Sequence, residues 1–186
     1  MENERIFIFI DGSNLDRAVD SSFHRRIKVQ RLAEKIVAGR RLMKVHYYEA
    51  PLLENVNPRS FATQQTFFAS LRQNPFWGIR LGRRVQRDRE VTCSECGKVS
   101  KNITWEQKGV DTLLVLDLVT LAIRNVYDTA ILVAGDQDYI EPVLQVKMLG
   151  KIVENAFTLN AWAPALRNVV DNSIVLDARF LSDCWE

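Results

Sequence analysis

The sequence predicts an α/β protein: a three-layer α/β/α sandwich on a mostly parallel sheet, with one inserted β-hairpin. Three observations point there. Short apolar runs bounded by turn residues alternate with longer segments of helical period, the order expected of successive strand–helix units. The runs "IFIFI" and "AILVA" are almost unbroken, which suits strands covered on both faces. A length of 186 residues is enough for one domain with a proper core.

The elements follow in order. A strand over 5–10 runs into Asp11, Gly12, Ser13 and Asn14, and a helix is expected over 14–20. A second helix over 29–38 leads to a strand at 43–49, and a third helix covers 58–73. Residues 76–105 break the rhythm. Strand-like "IRLGRRVQ" and "KNITWEQ" flank "CSECGK" there, and the stretch reads as a hairpin inserted into a single domain of residues 1–186. The helix over 110–125 is apolar almost all round and is therefore expected to be central and buried. A strand at 130–134, a helix over 139–149 closed by Gly150, a strand at 151–157, a helix over 161–170 and a strand at 173–176 complete the chain.

Composition narrows the class. Charged residues make up 26% and hydrophobic residues 47%, ordinary values for a globular protein. A net charge of +2 implies no general affinity for polyanions, so any nucleic-acid surface must come from local clustering. The charged start Met1-Glu2-Asn3-Glu4-Arg5 is unlike a signal peptide, and no apolar run approaches the roughly 20 residues that cross a bilayer. Three cysteines, one left over, suit a reduced compartment better than a disulfide scaffold. The expectation is a soluble cytoplasmic protein with no membrane partner.

The acids carry the chemistry. Asp11 ends the first strand, while Asp136 and Asp138 follow "AILVAG" in the turn "GDQD". Both places are carboxyl ends of apolar strands, which line the ligand crevice of an open α/β sheet. If the two strands are neighbours, their carboxylates converge. An N-cap explains one Asp in a turn, with Asp138 the candidate cap after Gly135 and Asn14 a rival to Asp11. It does not explain two acids in one turn, which repel unless a cation balances them. Asp111 opens the apolar helix, where the helix dipole favours it. Asp117 lies six residues on, about 120° around the helix, and is expected to support structure rather than face the same spot. An all-oxygen cluster suits Mg²⁺ or Mn²⁺. His24 and His46 lie far from these acids in sequence and are expected to be surface or packing residues.

Four segments in this order resemble the NYN domain: "FIDGSNL", "KGVDTLLVLDLVTLA", "LVAGDQDYIEPVLQVKMLGKIV" and "SIVLDA". That domain belongs to the PIN-like nuclease superfamily, and the likeness is to its LabA-like bacterial branch. The resemblance spans the chain from first strand to last and misses mainly the middle. It implies a PIN-like sandwich and hydrolysis of RNA by water activated on Mg²⁺ or Mn²⁺. It implies that Asp11, Asp111, Asp136 and Asp138 are the metal-binding and catalytic acids. It further implies that Asn14 holds water or phosphate beside the first acid and that Lys108 stands close enough to touch substrate. Ser13 and Asp117 are expected to support the acids. Tyr139 stands where relatives often carry phenylalanine.

Basic residues cluster twice. The first group is Arg25, Arg26, Lys28, Arg31, Lys35, Arg40, Arg41 and Lys44, and the second is Arg80, Arg83, Arg84, Arg87 and Arg89. Such patches supply sequence-independent phosphate affinity, and Trp77 and Trp105 flank the second as candidate stacking platforms. Arg83, Arg84 and Arg87 are the expected substrate contacts. Cys93 and Cys96 form a two-cysteine knuckle, but structural zinc wants four ligands and only Cys184 and two distant histidines remain. A complete Zn²⁺ site within one chain is not expected; a zinc shared across a homodimer stays open. Two functional readings stand beside each other: a ribonuclease acting on single-stranded or structured RNA, and an RNA-binding or regulatory domain with little turnover. A phosphatase reading is weaker, because it wants a second Asp at position 13, where this chain has serine.

Overall fold

The computed structural model describes residues 4–92, 99–161 and 163–186. In chain order the elements are β1 (Arg5–Asp11), α1 (Gly12–Phe23), α2 (Val29–Val37), β2 (Arg41–Glu49), α3 (Pro58–Arg72), β3 (Trp77–Leu81), β4 (Arg83–Thr92), β5 (Val99–Lys108), α4 (Val110–Ile123), β6 (Thr129–Val133), a 3₁₀ turn (Gln137–Tyr139), α5 (Ile140–Met148), β7 (Ile152–Phe157), a second 3₁₀ turn (Leu159–Ala161), α6 (Pro164–Arg167) and β8 (Asn172–Val175). Six strands form one sheet in the order β3-β2-β1-β6-β7-β8, and every pairing in it is parallel. The chain builds outward from β1 through β2 to β3, then returns to lay β6 on the other side of β1. That reversal is a topological switch point, and it opens a crevice at the carboxyl ends of β1 and β6.

Alternation along β1 explains the two cores. Ile6, Ile8 and Ile10 face one side and pack with Leu15, Val19, Leu32, Ile36, Phe68 and Leu71 from α1, α2 and α3. Phe7 and Phe9 face the other side, against Leu114, Leu118, Val143, Val146 and Leu166 from α4, α5 and α6. The three-layer sandwich expected from the strand–helix rhythm is therefore present. Cys184 is fully buried in the first core. The expected knuckle cysteines, Cys93 and Cys96, lie outside the described residues.

The middle of the chain divides differently from the sequence expectation. Trp77–Leu81 is not part of the inserted hairpin: it pairs parallel to β2 as the edge strand of the main sheet. The break falls at Gly82, whose N–H still donates to the Glu49 carbonyl at 2.9 Å before the chain turns away. The hairpin proper is β4 with β5, a separate two-stranded antiparallel sheet. The apolar indole of Trp77 is only 7% exposed and packs in the first core, so it is no stacking platform for bases. The helix expected over 161–170 shortens to α6, which starts at Pro164, a residue favoured in the first turn because its missing N–H is not needed there.

Asp117 faces the sheet rather than the crevice. Its Oδ2 accepts from Arg80 Nε at 2.8 Å, Tyr48 Oη at 2.9 Å and His46 Nδ1 at 3.2 Å, and its Oδ1 accepts from Arg80 Nη2 at 3.0 Å. A carboxylate only accepts, so the imidazole donates to Asp117 in the tautomer with its proton on Nδ1, a nitrogen that also lies 3.2 Å from Tyr48 Oη. Burial holds the His46 pKa below its usual value against the pull of Asp117, so the ring is a neutral donor near pH 7. This cluster ties α4 to β2 and β3, and it removes Arg80 from the basic patch. Replacing Asp117 with Ala strands the phenol and guanidinium together. The expected result is a loss of roughly 2–4 kcal/mol, read as a lower urea midpoint at unchanged slope.

Candidate active site

The site begins with the way β1 ends. Asp11 is the last residue of the strand and the N-cap of α1: its Oδ1 accepts from the Asn14 backbone N–H at 3.0 Å and from Ser13 Oγ at 3.3 Å. The helix thus starts at Gly12, two residues earlier than the sequence pattern indicated. Only glycine fits there, because a Cβ would lie 2.4 Å from the ring of Tyr47. Asn14 is not a cap. Its Oδ1 accepts the Gly135 N–H at 2.9 Å, pinning the first turn of α1 to the turn after β6.

The other oxygen of Asp11 meets Tyr139. The phenol donates to Asp11 Oδ2 at 2.9 Å and lies 3.4 Å from Asp111 Oδ1, so one hydroxyl proton stands between two carboxylates. Asp111 reaches this point from the first turn of α4, which Gly109 starts with a left-handed backbone at φ 81°. Burial pushes the Asp11 carboxyl above its ordinary value, and Asp111 adds repulsion; the Asn14 and Tyr139 hydrogen bonds oppose them. Burial and the same two carboxylates push the Tyr139 hydroxyl far above its usual range, so it remains protonated and acts as a donor.

Asp136 caps the first 3₁₀ turn by accepting the Asp138 N–H at 3.0 Å, the reverse of the cap expected from sequence. Asp136 is half-buried beside the crevice and Asp138 is exposed. Since β1 and β6 pair directly, Asp11 and the Gly135–Asp136 turn are neighbours, as their place in the two strand–helix units requires.

Sequence reasoning missed Glu49. It ends β2 as Asp11 ends β1, which was the available signal, and it is only 5% exposed. Its Oε1 accepts from the Ala50 N–H at 3.0 Å and from Gln107 Nε2 at 3.3 Å. Burial raises its pKa to about 7, with the Ala50 N–H and the charge of Arg84 opposing and Asp16 and Asp11 adding repulsion. The carboxyl edge thus carries Asp11, Glu49, Asp111, Asp136 and Asp138. Their all-oxygen chemistry fits a hard divalent cation. Among the described residues no three His, Cys, Asp or Glu side chains form a ready cage. Mg²⁺ commonly takes one or two protein carboxylates and keeps its remaining positions for water and phosphate, so the paired arrangement suits it.

The basic residues separate by position. Arg40 and Arg41 lie at or just before the start of β2, the opposite edge of the sheet, and Arg40 is bound to Glu154 at 2.8 Å. Arg31 pairs with Glu34, Lys35 with Asp183, and Arg25 lies 4.5 Å from the Trp185 ring. Four of the eight residues of the first cluster are thus engaged within the fold. Of the second, Arg83 is exposed and lies in register with Lys108, also exposed, at the base of the hairpin, next to Gly109 and α4. Arg87 pairs with Glu106 at 3.2 Å, and Arg84 is half-buried.

Comparison with known proteins fits this architecture. The family model for the NYN domain matches residues 5–177, and the chain belongs to that family. A search of curated proteins finds no match. A solved structure, a protein of unknown function VPA0982 from Vibrio parahaemolyticus RIMD 2210633, is similar with a TM-score of 0.70 and 20% identity, covering 100% of this chain and 98% of that one. At that identity the likeness speaks for the fold alone.

Glu49 supplies a pH test of the site. Its folded pKa of about 7 exceeds the ordinary 4.5, so the native state holds the extra proton and stability falls as pH rises between those values. Both hydrogen bonds land on Oε1, so Gln can keep them. Glu49→Gln is expected to be roughly 1–3 kcal/mol more stable than wild type at pH 8 and nearly equal at pH 4, by urea unfolding at each pH.

Proposed function

We propose that this NYN domain is a metal-dependent ribonuclease. The observation that carries the reading is the convergence of Asp11 and Asp111 on one phenol, with Asp136 following on the adjacent strand at the switch point. Asp11 is buried and repelled by Asp111, a cost in a fold that gains nothing from it, and a perturbed acid in a crevice marks a candidate functional site.

Asp11, Asp111 and Asp136 are the residues that would hold Mg²⁺ or Mn²⁺, with Asp138 at the rim. The ion, when bound, supplies charge neutralisation at phosphate and acidifies a water molecule. The chain's own residues do the rest. Ser13 Oγ and the Asn14 N–H hold the Asp11 carboxylate in one orientation, leaving its second oxygen toward Asp111. Tyr139 keeps a proton between the two acids and so limits their repulsion. Lys108 and Arg83 stand at the entrance to α4, where they offer positive charge to an RNA backbone approaching five acids. Arg87, further along the hairpin, is already paired with Glu106.

The test is cleavage of labelled single-stranded and structured RNA in Mn²⁺, Mg²⁺ or EDTA. Wild type is expected to cleave with either ion and not in EDTA, and Asp136→Asn is expected to lose at least about 100-fold of that activity. Cleavage that survives both EDTA and Asp136→Asn would overturn the mechanism. RNA binding without cleavage, lost in Arg83→Ala with Lys108→Ala, would assign the domain to RNA binding instead.

A further inference from the structure

The hairpin carries a second feature that the acid site does not use. Its register sets Arg84 opposite Gln107 and Gln86 opposite Trp105, so by the two-residue alternation of strands these four share one face. That face is turned toward the chain leaving β2. Gln107 reaches Glu49 at 3.3 Å, while Arg84 and Trp105 close a cavity of about 60 Å³ with Leu52, Leu53, Val56 and Asn57.

The lining is mixed in a particular way. Leu52, Leu53, Val56 and the indole of Trp105 make apolar walls, with Val56 52% exposed. Asn57 adds a carboxamide held in place by its Oδ1, which accepts the Ser60 N–H at 3.0 Å. The Nε of Arg84 is buried and has no hydrogen-bond partner among the described residues. The Arg84 guanidinium also lies near Glu49, whose carboxyl its charge pulls down, so the cavity carries a cation beside an aromatic wall.

A nucleobase meets each of these demands. It has a flat π face for the indole and apolar walls, and ring-nitrogen or carbonyl acceptors for the guanidinium of Arg84. Its place follows from the sheet. Glu49 ends β2 beside Asp11 at the end of β1, so the cavity adjoins the crevice along the same carboxyl edge. We propose that the cavity between the hairpin and the β2–α3 connection is a nucleobase subsite, which receives one base of an RNA strand whose backbone crosses the acid crevice. This rests on the RNA reading above.

Two measurements test it separately from cleavage. In EDTA, binding of a short RNA is compared with that of the same RNA carrying abasic residues, using fluorescence polarisation. Trp105→Ala and Arg84→Gln are expected to weaken the intact RNA by roughly 5- to 100-fold, the range for loss of one stacked base, and to leave the abasic RNA nearly unchanged. Trp105→Phe should keep most of the affinity. Equal losses for both RNAs, or none, would overturn the subsite. The second measurement stands even if wild type binds no RNA, an outcome that counts against the RNA reading alone. The indole N–H resonance of Trp105, assigned by its absence in Trp105→Phe, is followed while nucleoside 5′-monophosphates or ribose 5-phosphate are added. A shift with the nucleotides and not with the sugar phosphate supports the pocket; no shift with any nucleotide overturns it.

Discussion

The carboxylate of Asp11 is the point on which the rest of this fold's active edge hangs. Buried at the end of a central strand, it cannot be solvated by water and must be satisfied by the protein. One oxygen takes the cap of α1, which sets where that helix begins and how it lies on the sheet. The other takes the Tyr139 phenol, which brings α5's leading turn and the start of α4 to the same place. A single acid thereby ties β1, α1, α4 and the turn after β6 together. Its raised pKa is the thermodynamic cost of that position.

Helix α4 separates two electrostatic tasks by its own geometry. Asp111 and Asp117 lie on one helix but point about 120° apart, so one faces the crevice and the other the sheet. Asp117 is fully used by Arg80, Tyr48 and His46, and no charge there is left to disturb the site. Asp111 has the helix N-terminus behind it and two neighbouring acids before it, an arrangement that leaves the crevice strongly negative. On the ribonuclease reading proposed above, an anionic backbone approaches such an edge only with cations, from bound ions and from side chains at its rim. The exposed Arg83 and Lys108 at the base of the hairpin are suitably placed for that role.

The hairpin also reshapes the crevice. Without it, β2 would end in Glu49 facing open solvent; with it, Gln107 caps that carboxyl and the Trp105 face builds a wall beside it. The sheet and its carboxyl-edge acids thus acquire a side chamber. Glu49, with its pKa raised to about 7, carries only part of its charge near neutral pH, so this chamber and the acid cluster share one edge with less mutual repulsion.

Much of this was legible in the sequence. Unbroken apolar runs and helical periods specify the parallel sheet and its covering helices, because burial on two faces leaves a pattern in every strand. Asp11, Asp111 and Asp136 were legible for the same reason: acids at strand ends and at a helix start have a place that chain order alone defines. What the sequence could not decide depends on contacts between distant segments. Only strand order makes β1 and β6 neighbours. Only packing shows that Tyr139 bridges two acids, that Arg80 belongs to Asp117, that Trp77 is core while Trp105 lines a cavity, and that Glu49 sits beside Asp11. Each of those outcomes is fixed by which side chains meet across the sheet, and pairing of that kind leaves no period in the chain.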